Sequence, residues 1–327
     1  MGKGTHLFAI SVLPAITLVA CSEPPVEEGV TYTSMRGTTG CLIEQITTEP
    51  FGEYQFQGAS PDGQWLSYAW DNGEDAEGNP IRGSYNLNLI TGEKTELPPV
   101  MSNVSTFSPD GKYLLGAHYT DDGRTDLYEM NLETGEITAL AVHPQWDWLP
   151  TYSPDGTMIA FDSYRIDGEA DMFLYDRATG ELQRFTNYEG YDAHPEFSPD
   201  GSKVLFHRMI SGRPDGGYNF DLFTYDLATG QETQLTSSIY EESYGSWAPD
   251  GQHIVFSSDP DEAPEQSNLY VLAPDGMVLL QLTDGNWKDW YAFWTRDGKY
   301  IYFNSERGGN TDIYRMPMNG LNCVQAG

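Results

Sequence analysis

The chain has 327 residues, 49 of them acidic against 17 basic, for a formal net charge of -32. A polyanion of this kind repels phosphate backbones, which excludes a nucleic-acid binder working through a basic footprint. Its 39% hydrophobic and 13% aromatic content excludes a disordered acidic tail, and 34 Gly with 20 Pro foretell many turns.

In chain order, residues 1–20 read as a secretory signal: Lys3 precedes an apolar stretch from Leu7 to Ala20, broken by Ser11, Pro14 and Thr17 and too short to span a bilayer. It ends in Leu18-Val19-Ala20-Cys21, which resembles the bacterial lipobox. That resemblance implies lipidation of Cys21 as the new N-terminus, and Ser22 in the next position implies delivery to the outer membrane, facing the periplasm or the cell surface. An ordinary cleavage site with an incidental cysteine is the alternative. Residues 21–39 then read as the lipidated N-terminus and a flexible, polar tether, short enough to hold the folded body within about 25 Å of the membrane.

From residue 40 to 327 a repeat organises the chain. Ser-Pro-Asp-Gly begins at Ser60, Ser108, Ser153 and Ser198, and recurs as Ala248-Pro249-Asp250-Gly251 and Thr295-Arg296-Asp297-Gly298. Pro fixes φ in the turn and Gly relieves its exit, so each copy joins two antiparallel strands. A hydrophobic strand follows (Thr157 to Phe161, Ser202 to Phe206, Gln252 to Phe256, Lys299 to Phe303). A third strand opens on Asp126, Asp171, Asp221 or Asp312, and Thr-Gly turns lead into a fourth that ends in Arg184-Phe185-Thr186, Gln234-Leu235-Thr236 or Gln281-Leu282-Thr283. Four strands at a period of 45 to 50 residues make a propeller blade.

The sequence Ser-Pro-Asp-Gly, strand, polar loop, Asp-[Leu/Ile/Met]-[Tyr/Phe], Thr-Gly, Gln-Leu-Thr resembles the WD40-like PD40 repeat of the TolB-type β-propellers. The resemblance implies an all-β, six-bladed β-propeller, and a binding or scaffolding role toward an envelope protein or peptide. Gly40 to Thr47 matches the fourth-strand pattern, so an N-terminal strand is expected to complete the last blade and remove an open sheet edge. Cys41 and Cys323 then fall in one blade, and a disulfide between them is expected in an oxidising compartment, with two reduced buried thiols as the alternative.

Six positions before each turn stand Asp147, Asp192, Glu242 and Asp289 in blades three to six. Directed at one channel mouth, they would hold a divalent cation or a cationic ligand; otherwise each acid braces its own blade. Beside them lie Trp148, Trp290, His194, Tyr244 and Tyr291, suited to stacking on a saccharide or a cationic peptide, or else to packing between blades. Propellers of the oligogalacturonate-lyase type, which the fold also resembles, use several histidines around a metal; only His194 is at the expected mouth here. No G-x-S-x-G elbow supplies a nucleophile, so no catalytic residue is assigned and a carbohydrate-active propeller is the alternative function. Contact with the membrane is expected through the lipid alone, and the protein is expected to be monomeric.

Overall fold

The computed structural model describes residues 32–37, 39–48, 54–74, 76, 80–120, 124–166, 168–212, 218–238, 240–259, 266–285 and 287–325. The signal sequence, the lipobox and Cys21 lie outside the described residues. Six antiparallel sheets form a β-propeller. Their inner strands are Tyr54–Ala59, Asn103–Phe107, Asp147–Tyr152, Asp192–Phe197, Glu242–Trp247 and Asp289–Trp294. Among the described residues no helix is long and apolar enough to cross a membrane.

Each Ser-Pro-Asp-Gly is a self-satisfied turn. In the third blade Ser153 donates to Asp155, Asp155 accepts the Thr157 N–H, and Ser153 Oγ accepts the Met158 N–H. The same bonds recur at Ser198 and Asp200, where hydrogen bonds from Ser198 and Ser202 hold the carboxyl down at about 2. The turn glycines sit at φ near +70°, which a side chain resists. Five of the six also meet the proline of the preceding blade: a Cβ built on Gly156 or Gly201 would stand 3.5 Å from Pro109 or Pro154. The turns thus link one blade to the next around one end of the channel.

The fourth-strand threonines are equally specific. Thr186, Thr236 and Thr283 accept the backbone N–H of Met172, Leu222 and Leu269 through their hydroxyls. Thr47 does the same for Ile313 at 2.9 Å. The strand Leu42–Gln45 pairs antiparallel with Asp312–Asn319, Glu44 facing Arg315 and holding it at 2.6 Å. Thr33–Arg36, expected as tether, is instead a further strand paired with Leu42–Gln45. Its alternation Thr-Ser-Met-Arg places Met35 against the core of the last blade, burial enough to fix a segment whose polarity suggested a linker. The Cys41 and Cys323 sulfurs are joined across Cα atoms 5.5 Å apart.

Between neighbouring sheets lie the largest buried side chains, among them Phe161, Phe206, Phe256 and Phe303 at equivalent second-strand positions. They supply the inter-blade core that lets the inner strands stand around a channel.

Candidate functional site

The four acids expected at the mouth lie inside the blades. Asp147, Asp192, Glu242 and Asp289 are buried, and three are held by an arginine of their own blade. Arg165 reaches both oxygens of Asp147 at 2.9 and 2.8 Å while its Nε donates to Ser163. Arg307, Ser305 and Asp289 repeat that geometry in blade six. Arg208 grips Asp192 through Nε and Nη2 and reaches on to Glu232. Glu242 has hydrogen bonds from Thr236 and Ser238. Burial pushes the Asp147 carboxyl up to about 6 against the pull of Arg165. Paired and desolvated, these acids are bonded within their own blades, and among the described residues no three His, Cys, Asp or Glu side chains are grouped to hold a metal.

The side chains that do enter the channel come from a bulge. In every blade the inner strand slips register against the second strand, between Trp148 and Thr151 in blade three and between Ala193 and Glu196 in blade four. Leu149, His194, Tyr244 and Tyr291 occupy the bulge at φ between 50° and 58°, a left-handed conformation that costs a bulky residue about 1–2 kcal/mol. The next residue is Pro150, Pro195, Gly245 or Ala292; at Gly245 a Cβ would come within 2.9 Å of Leu205. A polar side chain on the preceding blade's second strand secures the bulge. Asp162 accepts the His194 N–H, and His207 Nδ1 accepts the Tyr244 N–H at 3.4 Å. Strain of this kind persists where the surroundings over-determine it, and here it turns three aromatic rings inward.

His194, Tyr244 and Tyr291 meet there: His194 lies 4.6 Å from Tyr244 and 5.2 Å from Tyr291, centroid to centroid. Burial keeps His194 uncharged, its pKa well below the usual value, and raises that of Tyr291. Below the rings is a central cavity of about 380 Å³, also lined by Glu196, Ser246 and Arg296. Glu196 accepts from the Ser246 hydroxyl and the Trp247 N–H, and burial pushes its carboxyl up to about 8. Arg296 stands where five blades have proline. Correspondingly, the chain of proline–glycine contacts is open at one seam: nothing lies within 4 Å of a Cβ placed on Gly63. Arg296 makes no ion pair among the described residues; the acid that acts on it is Glu196, whose own carboxyl burial pushes up.

Trp148 sits in a neighbouring run of rings, Arg82 over Tyr119 at 4.0 Å, Tyr119 to Trp148 at 5.2 Å, and Trp148 to Trp146 at 6.0 Å, which continues through Tyr164 and Tyr191 to His207. Trp146 and Trp287 remain 44% and 46% exposed. Trp290 is capped by Lys288, 5.1 Å from its ring. The bulge trio was therefore legible in the sequence as a group, whereas Arg296, Glu196, His207 and Asp162 were not singled out. Arg296 carried a signal, being the one departure from proline at that turn position.

Comparison with known proteins agrees with this architecture. Residues 59–265, more than half of the chain, match the PD40 family, the TolB beta propeller domain. No protein of curated function matches the chain. A solved structure described as a putative TolB from Agrobacterium tumefaciens shares 19% identity, with a TM-score of 0.63 over 89% of this chain and 100% of that one. TolB from Acinetobacter baumannii shares 22% at a TM-score of 0.56, over 76% of this chain and 63% of its own, so the chain spans under two thirds of that relative. An oligogalacturonate lyase from Vibrio parahaemolyticus superposes at a TM-score of 0.57 with 14% identity, over 89% and 97% of the two chains. At these identities the structures share the fold, and the sequence match assigns the family: the chain belongs to the TolB β-propellers of the PD40 repeat family.

Proposed function

We propose that the chain is a monomeric, lipid-anchored envelope propeller that serves as a binding scaffold, receiving a protein or peptide at the turn-side mouth of its channel. The lipobox at Cys21 and a cysteine pair suited to an oxidising compartment support an extracytoplasmic, outer-membrane setting. The carrying observation is Arg296: a guanidinium with no ion pair among the described residues, at the one gap in the ring of proline–glycine contacts, lining a cavity that also holds rings, hydroxyls and the Glu196 carboxyl. Such a site suits a carboxylate of the partner, a side chain or a chain end, because a guanidinium pairs with it bidentately and the exposed Arg296 can be reached from outside the cavity.

The test is photo-crosslinking from a probe placed at Thr106, inside the cavity, in intact envelopes. A discrete protein adduct that disappears in Arg296→Glu is expected. Equal labelling in both proteins would reject the channel as the binding mouth. A saccharide ligand draws support from the ring run of Tyr119, Trp148 and Trp146; adducts to glycan alone, insensitive to Arg296→Glu, would favour it.

A further inference from the structure

A second cavity, of about 330 Å³, opens between blades four and five beside the bulge rings. Its walls are Tyr191, His194, His207, Phe220 and Tyr244, with Met209 and Glu241 completing it. Several of the ring pairs are steeply inclined, while Tyr191 and His207 lie nearly parallel at 6.3 Å. Phe220 stands edge-on to His207 at 5.0 Å and to Tyr191 at 6.0 Å, and Tyr244 is near-perpendicular to His207 at 5.5 Å. Rings in such mutual orientations line one open cavity from several sides. Both imidazoles are neutral, His207 held down to about 3 by burial and His194 also well below its ordinary value, so neither repels a cation at physiological pH. Glu241 places a carboxylate at the same cavity, within 3.3 Å of the Ser243 hydroxyl.

We propose that this cavity is an aromatic cage for a small quaternary ammonium ion, with ring faces from Tyr191, Phe220 and Tyr244 around the trimethylammonium group and Glu241 as the counter-charge. Ring quadrupoles attract cations most strongly where water is excluded, and quaternary ammonium recognition uses boxes of this composition. A primary ammonium fits less well: it brings three N–H donors, and the walls are predominantly apolar, so bonds to water would be lost without replacement. The volume lies at the lower end of ligand pockets, which matches a small solute. A net charge of -32 further raises the local concentration of cations. The two cavities share His194 and Tyr244, but Phe220 and Glu241 line only this one and Arg296 lines only the other, so variants at those three positions separate the sites.

The experiment is calorimetric titration of the folded chain with choline and with 3,3-dimethylbutanol, its neutral isostere. Saturable choline binding is expected, at least about five-fold tighter than the isostere, the ratio that one cation–π contact of about 1 kcal/mol supplies. Phe220→Leu should weaken choline about five-fold or more and Glu241→Gln should weaken it similarly, whereas Arg296→Glu should leave it unchanged. Glu241→Gln is close to isosteric, so it retains the test if Phe220→Leu misfolds. Choline binding no tighter than the isostere, or unaffected by Glu241→Gln, would overturn the proposal. Co-sedimentation with phosphatidylcholine vesicles separates the two sources of the group: choline-competed sedimentation assigns a lipid headgroup, and binding of free choline alone assigns a soluble solute. Loss of the channel adduct in Arg296→Glu with choline binding intact keeps the two sites distinct.

Discussion

Blades three to six and blades one and two share the same turn but not the same interior. Six residues before the turn the former carry Asp147, Asp192, Glu242 and Asp289, where the latter carry Tyr54 and Ser102. Nine residues after the turn's first residue the former carry Asp162, His207, Ser257 and Asn304, and the latter carry the buried Ala69 and Ala117. The first set holds each inner strand to its own blade, and at Asp162 and His207 the second set reaches the bulge of the next. These four polar blades therefore pin their inner strands by charge and hydrogen bonding, and the rings of the candidate site all rise from them. Repeat architectures tolerate such division because each blade contacts only its neighbours.

The comparison breaks most visibly at Asp289. Truncating it to alanine strands the Arg307 guanidinium, whose side chain is 6% exposed, and should cost about 3–5 kcal/mol. Ser102→Ala, at the equivalent place in blade two, loses only a long 3.5 Å contact with His118 and should cost under about 1 kcal/mol. Denaturant titration of both variants decides it; equal costs would mean that the acids are not braces. Replacing Asp289 and Arg307 together by leucines should recover most of the loss, since a buried ion pair and its apolar substitute are often of similar stability.

The repeat itself was legible because Ser-Pro-Asp-Gly is a local device: its hydrogen bonds, its positive φ and its proline all lie within a few residues, so the chemistry shows in a short window. The arginines that neutralise the acids were not. Arg165 and Arg307 sit 18 residues beyond their partners and Arg208 sits 16 beyond, on a different strand or loop, and a period of four strands does not reveal which side chains meet across a blade. Aligned acids read as a mouth full of charge when their partners are invisible. The aromatic trio was found because the bulge holds a constant place before the turn, although its inward aim depends on a backbone conformation that residue type alone does not announce.

Blade six differs from the others in being built from both ends of the described chain, and the Cys41–Cys323 link spans 282 residues. Closing so long a loop restricts the unfolded chain, and we expect Cys41→Ser with Cys323→Ser to lower stability by about 2–4 kcal/mol. Melting of the unmodified protein with and without reductant measures the same quantity. Two alkylatable thiols in the protein isolated from envelopes without reductant would contradict the oxidised pair.

The finest distinction between the two sets of blades lies in protons. Asp162 is 1% exposed, one of its oxygens has no partner, and burial pushes its carboxyl up to about 8. Ala69 and Ala117, its counterparts in the apolar blades, cannot titrate. A carboxyl whose folded pKa exceeds its unfolded value binds its proton first in the folded state. Folding then takes up a proton between about pH 4 and 8, and stability falls as the pH rises through that window. Asp162→Asn keeps an acceptor for the His194 N–H and removes the ionisation, so it should stabilise the protein by about 1–3 kcal/mol near pH 8.5 and change little near pH 4. Glu196 is also pushed up to about 8, so the slope of stability against pH should shrink without vanishing. Chemical denaturation of both proteins across this range makes the test. An unchanged slope would mean that Asp162 is ionised in the folded state, and that the bulge carrying His194 is held by a charge.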